Sequence, residues 1–175
     1  MKNKKEKGFT LIELLIVIGI IAILAAAVII AINPGQQFKQ ARNATRWSHM
    51  NSVVNATYSY MISAAGSFPD CLYNETTGEP LSQLVDIANC SGADGLDPHI
   101  ADLPMDPQRG GSSYSAITTG FVISGTTYEV AACDNATVNG DCTGYVIGLT
   151  GAANNRLMVT SIATEAMEED IAVIQ

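Results

Sequence analysis

Basic residues are scarce in this sequence: 9 Lys and Arg stand against 17 Asp and Glu, a formal net charge of -8. Lys2, Lys4, Lys5 and Lys7 fall in the first eight residues, opposed only by Glu6. The remainder sets five basic residues against sixteen acidic ones, a net of -11. Such a body repels nucleic acid, so no high-affinity nucleic-acid partner is expected. Histidine is scarcer still. His49 and His99 have no motif around them, whereas catalysis needs a converging nucleophile, base and orienting group, so an enzyme is not expected. No Cys-X-X-Cys pair is present and both histidines lie far in sequence from the cysteines, which argues against a zinc site. There is one long apolar run and no second of comparable length, so a single membrane crossing is expected.

That run covers residues 9–32, with only Thr10 and Glu13 clearly polar. At about 1.5 Å per residue, its 24 residues reach roughly 36 Å as a helix, enough for a hydrocarbon core of about 30 Å. Three readings compete for it. A basic segment before an apolar one suits an ordinary secretory signal peptide cut near Ala25-Ala26-Ala27, and hence a soluble secreted binding protein. It also suits a plain anchor. The third reading is a leader cut ahead of the apolar run. Glu13 discriminates, because a carboxylate at the centre of a membrane helix costs about 2.5–3.5 kcal/mol and implies a partner. No Lys or Arg lies between Gly8 and Lys39. Cleavage after Gly8 would create an α-amino group on Phe9, four residues before Glu13, able to meet the carboxylate of an adjacent subunit. Desolvation offsets much of that attraction, so the pair sets register more than it stabilises.

Gly8-Phe9-Thr10-Leu11-Ile12-Glu13 with the apolar run behind it resembles the prepilin cleavage and methylation motif of type IV pilins and type II secretion pseudopilins. The resemblance implies cleavage between Gly8 and Phe9 by a prepilin peptidase at the cytoplasmic side, N-methylation of Phe9, and assembly of copies through Phe9 and Glu13 on an inner-membrane platform. It implies a single-pass membrane precursor that becomes an extracellular filament serving adhesion, motility or DNA uptake. A pseudopilin of a secretion system is the alternative.

The rest of the chain reads as an α+β protein, with the long helix packed on a C-terminal antiparallel sheet of about four strands. Asn33-Pro34-Gly35 interrupts the first helix. Met50, Val54, Tyr58, Met61 and Ala65 mark the apolar stripe of a second helix over residues 36–65, and Lys39, Arg42 and Arg46 share a face suited to solvent, lipid headgroups or neighbouring acidic patches. Gly66 to Pro69 ends that helix. A connecting loop rich in Asp, Asn, Gly and Pro follows, with a short helix expected near residues 81–88. Strands are expected at 113–117, 126–132, 144–149 and 157–162, separated by Gly120, Gly125, Asn139-Gly140 and Asn154-Asn155. The acidic segment 163–175 is open between a short helix and a tail. The resulting organisation is leader 1–8, membrane and filament-core half-helix 9–32, amphipathic half-helix 33–65, connecting loop 66–112 and sheet head 113–175.

The four cysteines, Cys71, Cys90, Cys133 and Cys142, allow three connectivities, with four buried thiols as the alternative. The sequence-local pairs Cys71–Cys90 and Cys133–Cys142 are taken on proximity alone. Leu103-Pro104-Met105-Asp106-Pro107, with Tyr114 and Tyr128-Glu129 after it, is similar to the pre-sheet segment of major pseudopilins, and that likeness makes Asp102 and Asp106 the candidates for calcium. No other cofactor is expected. The acidic loop 134–141 is a second calcium candidate, though it lacks a closing Glu. Asn43, Asn55, Asn74, Asn89 and Asn135 each open an Asn-X-Ser/Thr triplet, read mostly as chance.

Overall fold

The computed structural model describes residues 8–108, 110–123, 126–133, 141–150, 156–162 and 172–174. The basic leader residues, most of the acidic loop 134–141, the Asn154-Asn155 turn and most of the segment 163–175 lie outside them. The chain divides into two compact units, Met1–Ala41 and Arg42–Gln175.

The first unit contains helix α1, Leu11–Ile32. At about 1.5 Å per residue its 22 residues rise about 33 Å. No α1 side chain is buried, and the helix is long and apolar enough to cross a membrane. It stops because Asn33 takes a left-handed conformation, φ 41°, and Pro34 follows. Asn tolerates that conformation, and Pro disfavours a helical residue before it yet suits the first position of a new helix. Helix α2 therefore starts at once, spanning Pro34–Ser63.

Beyond α2 the chain reverses through Ala65 and Gly66, both at positive φ, with Gly66 N–H donating to the Met61 carbonyl across 2.8 Å. This six-to-one bond satisfies one of the carbonyls left free at a helix end. Among the described residues six strands follow: β1 Gln83–Asp86, β2 Ile117–Ile123, β3 Thr126–Val130, β4 Tyr145–Leu149, β5 Leu157–Ser161 and β6 Ala172–Ile174. They form one sheet in the order β2-β3-β1-β4-β5-β6, in which only β1 and β3 run parallel.

The α+β arrangement is thus present, and its sheet is larger and more mixed than the sequence pattern suggests. The region expected to be helical, 81–88, is instead strand β1 followed by a 3-10 turn, Ile87–Cys90. Leu84 and Val85 are both buried and point to opposite faces, which a strand permits and a one-turn helix does not. The strand expected at 113–117 starts only at Ile117, and Tyr114 makes an isolated bridge to Cys133. Gly120, expected as a turn, lies inside β2 where the register with β3 shifts, a common place for glycine in a bulged strand.

The sheet alternation builds two cores. Val85, Ile147 and Val159 face a cluster with Met50, Val53 and Val54 of α2, and Leu72, Ile87, Leu96 and Tyr145 complete it. Leu84, Val146 and Met158 face the other way, with Val130 and Ile162. Gly148 lets two strands approach: a Cβ there would stand 2.5 Å from a methyl of Leu84. The buried stripe of α2 is Asn43, Arg46, Met50, Val53, Val54, Ala56 and Thr57, whereas Tyr58 and Met61 are half-buried and Ala65 is exposed. Disulfides join Cys71 to Cys90 and Cys133 to Cys142.

Candidate functional site

The segment Gly8 to Glu13 is exposed and conformationally defined. Thr10 is the N-cap of α1. Its hydroxyl accepts from the Glu13 amide at 3.3 Å, and the Glu13 carboxylate accepts from the Thr10 amide and hydroxyl, each at 2.8 Å. A Thr followed three residues later by Glu is the sequence form of this reciprocal cap. The sequence offers Glu13 no basic partner nearby; the structure adds an uncharged one, Thr10, one turn earlier. Gly8 has no steric role in the fold, since a Cβ there would meet nothing within 4 Å. Phe9 is 90 % exposed. Geometry thus gives Thr10 and Glu13 a local job and leaves Gly8 and Phe9 open to whatever binds this segment.

The second unit concentrates its charge chemistry in the interior. Arg46 is fully buried, where sequence spacing placed it on a face with Lys39 and Arg42. Its Nε donates to Asp106 Oδ2 at 2.6 Å, its second nitrogen to Asp106 Oδ1 at 3.1 Å, and its third to the Asn43 carboxamide oxygen at 2.8 Å. Ser161 Oγ and the Gln108 amide also donate to Asp106, each at 2.9 Å. Burial pushes the Asp106 carboxyl upward in pKa, but the Arg46 bonds, the Gln108 amide and Ser161 outweigh it, and the net shift is downward. Its neighbour Tyr145, hydrogen-bonded to His49 Nδ1 at 2.9 Å, is shifted well above the ordinary phenol range by burial and then by Asp106.

This pairing displaces the calcium expectation at Asp106, whose oxygens point at a guanidinium. Asp102 is exposed, and among the described residues no group of three or more His, Cys, Asp or Glu is arranged to hold a metal. Sequence reasoning also missed Asp86. This buried carboxylate at the end of β1 accepts from the Thr143 amide and hydroxyl, the Gly144 and Ala88 amides and the Tyr114 hydroxyl. It ties β1 to the segment that follows Cys142. Its only sequence signal was an Asp closing a short apolar run. His99 sits edge-on to Tyr60 and 3.4 Å from Ser63 Oγ, whose proton goes to the Tyr60 carbonyl at 2.7 Å, so this pair is not an activated nucleophile.

Residues 3–29 match the family model described as the prokaryotic N-terminal methylation motif. No curated protein and no solved structure matches the chain. The matched stretch holds Gly8, Phe9, Thr10 and Glu13 and runs into the uncovered helix α1. The chain carries the N-terminal methylation motif characteristic of the type IV pilin and pseudopilin family, at the head of a long apolar helix and a pilin-like α+β fold.

Proposed function

We propose that this chain is a pilin, a structural subunit of a type IV pilus-like extracellular filament. A prepilin peptidase removes residues 1–8 between Gly8 and Phe9, Phe9 is N-methylated, and the single-pass precursor moves from the membrane into the filament. The observation that carries this reading is the continuity of the matched motif with a 22-residue apolar helix, none of which the protein buries. Burial is the driving force such a surface has to find, in lipid first and among copies of itself afterwards. The two disulfides brace a head suited to an oxidising exterior, which supports an exposed fibre.

In this reading the Phe9 amine and Glu13 set the register between adjacent subunits, and Thr10 holds the carboxylate before assembly. The test is the mass of the mature N-terminal peptide. A methylated Phe9 start is expected. A start near Val28 would mean a secreted protein, and an intact Met1 a plain anchor; either overturns the proposal. Glu13→Ala is expected to abolish surface filaments, and fibres of normal length and number in that variant would refute the pairing.

A further inference from the structure

Beside the Cys71–Cys90 disulfide lies a cleft of about 520 Å³, within the range of about 300–1,000 Å³ typical of ligand sites. Its floor is apolar, from Leu81, Val85 and the disulfide itself, and its rim carries the exposed carboxylates Asp70, Glu75 and Asp94 with the Tyr73 ring. Among the described residues no basic side chain lines it. The wall is built in advance. Gly92 takes φ +114° and donates its amide to Asp97 at 2.7 Å. The Leu96 amide reaches the Cys90 carbonyl at 2.7 Å, so close that a Cβ on Gly95 would stand 2.1 Å from that oxygen. The carboxylates act on their surroundings: after burial, Asp70 and Asp94 push the Tyr60 phenol further up in pKa, so that it loses its proton less readily.

A matching surface is present on the same chain. Phe38 on α2 is 64 % exposed, and the residue after it, Lys39, is exposed as well. Once the leader is gone, Lys39 is the sole lysine of the protein. An aromatic ring followed directly by an ammonium suits an apolar floor inside an acidic rim, in shape of chemistry and in sign of charge. Phe38 and Lys39 belong to the first turns of α2, whereas the cleft is built after its last residue, Ser63. Patch and cleft share no residue, so each copy carries one of each and can use both at once. Used from one copy to the next, such a contact forms a closed ring or an open helix according to its rotation, and the open helix is the form a filament takes.

We propose that the cleft receives the Phe38–Lys39 patch of a second copy of this chain. This deepens the filament reading and rests on it for its setting: α1 supplies the apolar association, and the patch and cleft select which neighbour a head accepts.

The sole lysine makes the contact chemically readable. Unlabelled and ¹⁵N-labelled mature chains are mixed in detergent and, separately, sheared filaments are collected; both are treated with a zero-length carbodiimide, which joins an amine to a carboxylate in contact with it. Mixed-isotope cross-links from Lys39 to Asp70, Glu75 or Asp94 are expected. They should vanish in the Asp70→Asn, Glu75→Gln, Asp94→Asn triple variant and fall at least fivefold in Phe38→Ala, with near-ultraviolet circular dichroism unchanged. Lys39→Arg should keep filament yield while losing the cross-link, and Lys39→Glu should lose both. Cross-links from Lys39 to other carboxylates, or filaments of normal yield and salt tolerance in the triple variant, overturn the docking. The two readings fail separately: a Lys39 cross-link in detergent without filaments upholds the docking and refutes the filament, and filaments without that cross-link do the reverse.

Discussion

Replacing Arg46 by Met keeps the length and apolar stem of the side chain and removes its charge. What remains is the Asp106 carboxylate, buried to 3 % exposure and left with Ser161 and the Gln108 amide as donors. Breaking one side of a buried ion pair costs about 3–5 kcal/mol, because the surviving charge stays desolvated without its partner. Against a total stability of about 5–15 kcal/mol for a domain, that is about a fifth of the margin or more. Asp106→Asn should cost a similar amount, since it takes the carboxylate away from the buried guanidinium. The Arg46→Met, Asp106→Leu double variant should recover most of the loss, because neither charge of the pair is left buried without the other. Trp47, the only tryptophan, is the next residue in α2 and reports the local packing by fluorescence. Urea unfolding of the full chain in detergent, followed by Trp47 emission and near-ultraviolet circular dichroism, gives the comparison. A single variant within about 1 kcal/mol of the parent, or a double variant no better than the singles, would refute the reasoning. The pair also predicts an acid limb. The folded pKa of Asp106 is depressed, so in acid the unfolded chain binds the proton more readily than the folded one. Its contribution is present above the unfolded value of about 3.9 and is lost as pH falls through the folded value. Asp106→Asn should flatten the fall in stability below about pH 4.

Three further outcomes follow from local geometry. Thr10→Val removes the cap of α1, a change typically worth about 1 kcal/mol, so the Glu13 amide should exchange with solvent about fivefold faster, measured in micelles by hydrogen exchange. Ala65 holds a left-handed conformation that costs an alanine about 1–2 kcal/mol, so Ala65→Gly should stabilise by about 0.5–1 kcal/mol once glycine's greater unfolded freedom is subtracted; a loss in urea unfolding would contradict it. Removing the Cys71–Cys90 disulfide as a Ser pair should cost about 3 kcal/mol for a loop of this size, and should abolish the Lys39 cross-links by opening the cleft wall.

The elements legible in the sequence were those with a long or redundant signal. The residues 9–32 run, the break at Asn33-Pro34 and the strands around Tyr128, Val146 and Val159 each repeat their cue over several residues. The α2 stripe was partly legible. Met50 and Val54 mark it, but the line drawn on through Tyr58 and Ala65 drifts toward solvent, while Arg46 and Thr57 lie on the buried line and look polar. Arg46 was unreadable for a physical reason: a buried guanidinium depends on a carboxylate sixty residues away, and nothing local announces it. Strand β1 was hidden because Gln83-Leu84-Val85-Asp86 is too short to show a period, and its two-sided burial is imposed by β3 and β4. Gly8 and Glu13 stand out as a pair at fixed spacing, whereas the Thr10 cap between them carries no charge to mark it.

The break at Asn33-Pro34 has a consequence for how deep the protein sits. A helix ends with carbonyls that have no amide of their own helix to accept from, and Pro34 brings no N–H to relieve them. Hydrocarbon offers such oxygens nothing, whereas water and lipid headgroups do. The last turn of α1 is therefore pinned at the edge of the oil, and the α1 rise of about 33 Å becomes a ruler laid from that edge downward. A bilayer a few ångströms thinner would have to tilt the ruler, and a thicker one would have to pinch toward it. In a bilayer the asparagine and proline would thus act as a waterline painted on the hull, fixing the draught at which α1 floats.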